Sequence, residues 1–148
     1  MSLITAKKIR KEYTYWKWQI NANETFTEEM TLFTLTGKGV TYAFAALESG
    51  HLAHVYYGKR ADDEDLSYLL RLDENPFTPK VNERDMGTFM DTTPFEYPVH
   101  GTGDYREPAI MLMDNKGMSA LDLRYVSYEI TKGKPILEQK LEDNTVRL

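Results

Sequence analysis

Asp73 and Arg84 are the residues of this chain whose types best suit the capture of a polyhydroxyl ligand. An ionised carboxylate accepts hydrogen bonds from two neighbouring hydroxyls, and a guanidinium donates to others through a planar fork. Both residues lie in the stretch R-L-D-E-N-P-F-T-P-K-V-N-E-R-D-M-G-T-F-M-D-T-T-P-F-E-Y-P-V-H-G-T-G-D-Y-R-E, residues 71–107. With Pro108, this stretch holds five of the six prolines of the chain. It is therefore neither a helix interior nor a central strand. It also carries Phe77, Phe89, Phe95, Tyr97 and Tyr105, which a disordered linker would lack. Aromatics, prolines and charges together predict a long ordered loop, and such loops commonly carry function. A loop salt bridge or a turn cap is the competing reading of Asp73 and Arg84.

Other residues with chemical potential fall to ordinary roles. Asp62, Asp63, Glu64 and Asp65 form the densest acidic run. A solvated helix start explains them, because the helix dipole favours acids in the first turn. Gly101-Thr102-Gly103 is not a phosphate loop, since neither a third glycine nor a lysine–hydroxyl pair follows. Turn geometry accounts for these glycines, with Asp104 and Arg106 placed to pair and hold the loop. His51, His54 and His100 are the only histidines. His51 and His54 fall on opposite faces of a strand, a poor spacing for chelation. The methionines read as core filler, and Trp16 and Trp18 as core or interface residues rather than a sugar platform. The expectation is that no metal and no organic cofactor is bound.

Composition narrows the class. A chain of 148 residues is one domain by length, and 41% hydrophobic residues suffice for a core. The net charge of -5 argues against a nucleic-acid partner, which needs a basic face. The absence of cysteine excludes disulfides and thiolate metal sites and fits a reducing compartment. No apolar run approaches the length of a membrane span. The expected setting is the cytoplasm, with no membrane partner.

The elements that must position the loop are strands. Glu12 to Ile20 alternates Trp16, Trp18 and Ile20, and predicts a strand; Asn21 to Glu29 is polar and turn-like. Thr31 to Thr36, Val40 to Leu47 and His51 to Tyr57 follow as strands, broken at Gly37-Lys38-Gly39 and Glu48-Ser49-Gly50. Val40, Tyr42, Phe44 and Ala46 share one face. Asp62 to Leu70 predicts the one short helix, two to three turns long, with Leu66, Leu69 and Leu70 along one side. After the loop, Ala109 to Met113 predicts a buried strand and Asp114–Gly117 a turn. Ser119 to Thr131 predicts a long strand, and Ile136 to Leu141 a last one. The fold class is all-β: an antiparallel β-sandwich with one short helix near 62–70 and a long ordered loop over 71–108.

Several blocks also resemble a known family. They are H-L-A-H-V-Y-Y-G-K-R (51–60), R-L-D…N-P-F (71–77), E-R-D (83–85), E-Y-P-V-H-G-T-G-D-Y-R-E-P-A (96–109) and L-D-L-R-Y-V-S-Y-E-I-T-K-G-K-P (121–135). They resemble the amino-terminal region of bacterial α-galactosidases of glycoside hydrolase family 36. The resemblance runs from about Leu32 to Pro135 and leaves residues 1–30 poorly matched, so the domain reading is 1–30 apart and 31–148 as a partial β-supersandwich domain. Enzymes of this kind carry a (β/α)8 barrel after the supersandwich, and the barrel holds both catalytic carboxylates. The resemblance therefore implies no catalytic residue here. It implies an amino-terminal fragment of an enzyme that hydrolyses terminal α-galactosides, of the melibiose and raffinose type, with retention. Carried over residue by residue, Asp73 and Arg84 reach the galactose site, often that of a neighbouring subunit. The implied partners are the sugar, the missing barrel and further copies in a homo-oligomer. A stand-alone carbohydrate-binding module and a structural oligomerisation domain are the rival readings.

Overall fold

In the stretch Val40–Leu47, alternating side chains give both faces of a strand something to bury, and this strand lies inside the sheet. The computed structural model describes residues 3–17, 22–62, 65–72, 89–101 and 103–130. Four strands form one antiparallel sheet in chain order: β1 (Leu3–Lys17), β2 (Ala22–Thr36), β3 (Val40–Leu47) and β4 (Leu52–Lys59). The all-β class expected from the sequence holds. The turn-like reading of Asn21 to Glu29 does not, because β2 already begins at Ala22. Pairing with β1 explains the difference. The ladder sets Glu29 opposite Arg10 and continues to Ala22 opposite Lys17, so the backbone of this polar stretch is bonded to a neighbouring strand. β3 reaches only to Met30, and from Arg10 and Glu29 onward β1 and β2 run on as a two-stranded ribbon.

The two faces of the sheet carry different cores. Met30, Leu32, Ala43, Ala45, Leu47 and Ala53 form the first face, covered by Leu66, Leu70 and Leu72. The three alanines are fully buried, which lets the covering segment approach the sheet closely. A bulge in β4 at Val55 puts both Val55 and Tyr56 against this core, since the register slips between Ala43–Tyr56 and Phe44–His54. The covering segment is shorter in helix than expected. Only Ser67–Leu69 forms a single 3-10 turn, while Asp62 instead pairs with Arg60 at 3.0 Å and Asp65 accepts from the Ser67 amide. Leu66 and Leu70 are buried by sitting at either end of that turn.

The second face is aromatic. Phe33 and Phe44 stack with centroids 4.9 Å apart, and Tyr128 meets Phe33 edge-on at 4.9 Å. Tyr42 continues the row beside Phe44 at 5.4 Å. The shared face of Tyr42, Phe44 and Ala46 follows the alternation read from the sequence.

Beyond the loop the strand expectations fail. Residues 109–113 carry only one bridge, Ile110 to Val99, and Met111, Leu112 and Met113 are exposed rather than buried. Residues 119–130 form no strand; they touch the sheet through the Tyr125 amide on the Gly50 carbonyl and the loop through the Leu121 amide on the His100 carbonyl. The expected last strand, Ile136 to Leu141, lies outside the described residues. The turn at residues 114–117 holds as expected. Gly117 has φ +82, and the Asp114 carboxylate accepts from the Lys116 and Met118 amides.

Gly101 is the most constrained glycine of this region. It has φ +106, and a Cβ there would lie 2.5 Å from the Ala120 Cα. Gly101→Ala is expected to cost roughly 2–4 kcal/mol, combining backbone strain with overpacking. Gly117→Ala, with φ +82 and nothing within 4 Å, serves as the contrast and should cost about 1 kcal/mol. Urea denaturation of both variants checks the difference.

Candidate functional site

Within the stretch 71–107 that carries Asp73 and Arg84, Leu72 packs into the first core and residues 94–96 bond to β4. Both of those residues lie outside the described residues, as do Asp63 and Glu64. The chain before Asp73 is fixed: Leu70 and Leu72 are buried in the first core. The chain beyond Arg84 is fixed again at Phe89 and Met90, which are 1% and 5% exposed. Buried apolar residues therefore anchor the chain on both sides of residues 73–88.

The returning half of the stretch is clipped to the edge of β4. Phe95 bridges Ala53 in antiparallel fashion. The His54 amide donates to the Pro94 carbonyl at 2.6 Å, and the Glu96 amide donates to the Leu52 carbonyl at 2.8 Å. Proline at position 94 has no amide to give, and only its carbonyl is used, as suits a sheet edge. Glu96 then reaches back over the aromatic face. One carboxylate oxygen accepts from the Tyr42 hydroxyl, and the other lies 2.8 Å from His54 Nδ1.

Arg106 is the second fastener. Its Nε and Nη2 hold the two oxygens of Asp104 at 2.7 and 3.0 Å, a bidentate pair with a carboxylate that is only 2% exposed. Nη1 donates to the Thr93 carbonyl at 2.6 Å and Nη2 to the Met90 carbonyl at 2.8 Å. The guanidinium lies over Phe95, 5.0 Å from the ring centre. The expected pairing of Asp104 with Arg106 is thus present, and Gly103 at φ +95 makes the turn that allows it. The two carbonyl partners have no counterpart in the sequence reading.

A third fastener joins the β3–β4 turn to residues 122–124. Arg124 grips Asp122 with two contacts of 2.7 Å and donates to the Ser49 carbonyl. His51 Nε2 lies 3.3 Å from Asp122. The hydrogen bond from Arg124 holds the Asp122 carboxyl below its ordinary value, helped by the charges of Arg124 and His51 and opposed by partial burial. These networks explain what His51 and His54 do: each meets a carboxylate more than 40 residues away. No local motif announces such a contact.

Tyr42 titrates abnormally. Burial first, then the hydrogen bond to Glu96 and its charge, push the phenol well above its ordinary value of 10.0. The unfolded chain loses this proton first, so the contribution of Tyr42 is fully present below about pH 10 and is lost as pH rises toward the folded value. The melting temperature of the wild type should therefore exceed that of Tyr42→Phe at pH 8. The gap should hold up to about pH 10 and begin to narrow above it, as scanning fluorimetry from about pH 8 to 11 would show.

These fasteners tie residues 89–108 and 122–125 to one another and to the sheet. Among the described residues no group of three or more His, Asp or Glu side chains could hold a metal ion. No helix among them is long and apolar enough to cross a membrane.

The chain is similar to known proteins. The N-terminal domain of glycosyl hydrolase family 36 matches residues 50–147. The chain belongs to glycosyl hydrolase family 36. Among relatives of this family 36 domain, the bifunctional alpha-galactosidase/sucrose kinase AgaSK of Mediterraneibacter gnavus is 36% identical over 105 residues, 70% of this chain and 11% of that protein. The alpha-galactosidase AgaA of Geobacillus stearothermophilus is 35% identical, over 71% of this chain and 14% of its own length. The crystal structure of the family 36 α-galactosidase AgaB from Geobacillus stearothermophilus superposes with a TM-score of 0.61 at 33% identity, covering 85% of this chain and 16% of that one. The family 36 chain thus spans a small part of the length of the relatives it matches. Its matched residues include His51, His54, Glu96, Asp104, Arg106, Asp122 and Arg124, which contribute to all three fasteners.

Proposed function

We propose that this domain serves a retaining α-galactosidase, and that residues 71–108 form one wall of the galactose site. Asp73 accepts hydrogen bonds from sugar hydroxyls and Arg84 donates to others. The supporting observation is the anchoring of the segment: Leu72 and Phe89 are buried on either side of it, and Arg106, Glu96 and the Phe95 bridge secure its return. A loop held at both ends loses less entropy when it meets a ligand. The α-galactosidase names of the relatives supply the reaction.

Hydrolysis with retention needs two carboxylates about 5–5.5 Å apart, acting as acid/base and nucleophile. We assign neither to this domain. The rest of the enzyme supplies them, from a barrel packed against this domain or a neighbouring subunit. The exposed apolar side chains Met111, Met113, Met118 and Val126 suit such a contact. The lack of cysteine supports a cytoplasmic setting.

Two preparations test this assignment together. The full-length enzyme carrying this domain should release galactose from a chromogenic α-galactoside. The 148-residue chain alone should release none, since a barrel takes roughly 250 residues. Galactose release by the highly purified chain, abolished by a substitution within it, would overturn the assignment.

A further inference from the structure

A cleft of ≈ 430 Å³ opens on the aromatic face where β3 ends and the β1–β2 ribbon runs on. Lys8 and Arg10 from β1, Glu29 and Thr31 from β2, and Glu48 from the β3–β4 turn supply its polar lining, with Tyr125 on the far side. Ala46 is buried at its base, between the backbones of Met30 and Leu47, whose side chains turn to the first core. We propose that this cleft is a second ligand site, and that it takes a neutral saccharide of one or two rings.

Size, charge and rigidity support that class. The volume falls in the usual range for small-molecule sites, about 300–1,000 Å³. Two cationic and two anionic side chains line it, so the charge is balanced and neither a phosphate nor a cation is favoured. The same four groups offer both donors and acceptors, and a sugar hydroxyl needs one of each. The small Ala46 side chain leaves room above the strands, and the Tyr125 ring suits the C–H face of a pyranose.

The Tyr125 wall is held in place before any ligand arrives. Its amide donates to the Gly50 carbonyl at 2.7 Å, and its neighbour Arg124 packs on Gly50 while gripping Asp122 and the Ser49 carbonyl. The opposite wall is the start of the ribbon, with Arg10 and Glu29 facing each other as register partners. A site with a fixed wall and a fixed floor binds with less ordering cost.

The choice of an α-galactoside as the ligand to titrate rests on the proposed α-galactosidase role of the domain. The disaccharides melibiose, an α-galactoside, and maltose, which carries no galactose, are each titrated into the isotopically labelled 148-residue chain, with amide shifts followed by NMR. Expected are saturable shifts at Lys8, Thr31, Leu47 and Tyr125, with a Kd on the order of 1 mM for at least one sugar. Tyr125→Ala should weaken this binding about tenfold, the loss of one ring's contact. Tyr125→Phe keeps the ring and should retain it, and Glu29→Gln, a surface change that leaves packing intact, should also weaken it. Asp73→Ala should leave these shifts unchanged, so a failure of the loop assignment does not count against the cleft. Absence of saturable shifts at these amides with either sugar would overturn the proposal. Binding unaffected by Tyr125→Ala and Glu29→Gln, or tighter binding of inorganic phosphate than of either sugar, would do the same.

Discussion

In the α-galactosidase that we propose this domain serves, Asp73→Ala is expected to lower kcat/KM about tenfold or more while leaving the fold intact. Asp73 follows Leu72, which is buried, and precedes Pro76 and Pro79. A side chain there need not support a ladder or a helix. If its oxygens accept two hydroxyl hydrogens of galactose, each charged hydrogen bond is worth about 1.5–3 kcal/mol. Loss of one such bond gives about a tenfold change or more. Asp73→Asn keeps one acceptor oxygen and should do less harm. The readouts are KM, kcat, melting temperature and oligomer mass on the same preparation. A properly assembled Asp73→Ala enzyme with unchanged kinetics would remove Asp73 from the sugar site. Lowered stability with a near-normal KM would instead make it a tie within the loop.

Arg106→Ala is expected to be among the most destabilising substitutions outside the cores. The change removes four side-chain hydrogen bonds, two to Asp104 and one each to the Met90 and Thr93 carbonyls. It also leaves the Asp104 carboxylate, 2% exposed, buried without its counter-charge. Breaking a buried pair in this way costs about 3–5 kcal/mol, and the lower end applies because Arg106 itself is 37% exposed. At about 2–4 °C per kcal/mol for a domain of this size, the melting temperature should fall by roughly 6–12 °C. Arg106→Lys should not restore it, because one ammonium cannot reach a bidentate carboxylate and two carbonyls together. Removing both charges with Asp104→Asn and Arg106→Gln should cost less than Arg106→Ala alone. A drop below about 2 °C for Arg106→Ala would show that the fastener carries little.

Part of this fold is legible in the sequence. The β3–β4 hairpin can be read because Val40–Leu47 buries both faces and Gly50 supplies the φ of +84 that its turn demands. The partnership of Asp104 and Arg106 can be read because two residues and a glycine-rich turn bring them together. The carbonyls of Met90 and Thr93 cannot, since backbone groups carry no signature in the residue letters. The first half of β2 escapes a sequence reading for a related reason. A polar stretch reads as a turn unless the partner strand and its register are known, and only the pairing sets Glu28 opposite Lys11. Residues 119–130 mislead in the opposite sense. Their alternation is strand-like, but alternation does not supply a neighbouring strand, and Leu123 and Val126 stand 45% and 88% exposed. The contacts of His54 with Glu96 and His51 with Asp122 depend on the fold alone. Asp73 and Arg84 stand out only through the chemistry of their types and the family blocks around them.

Hydrogen exchange on the full-length enzyme, with and without galactose, tests most directly whether this domain contributes to the sugar site. If residues 71–108 form a wall of that site, galactose slows exchange of the amides in residues 73–88, and the slowing disappears in Asp73→Ala. Slowed exchange confined to the rest of the enzyme, with residues 73–88 unaffected at saturating galactose, would contradict it.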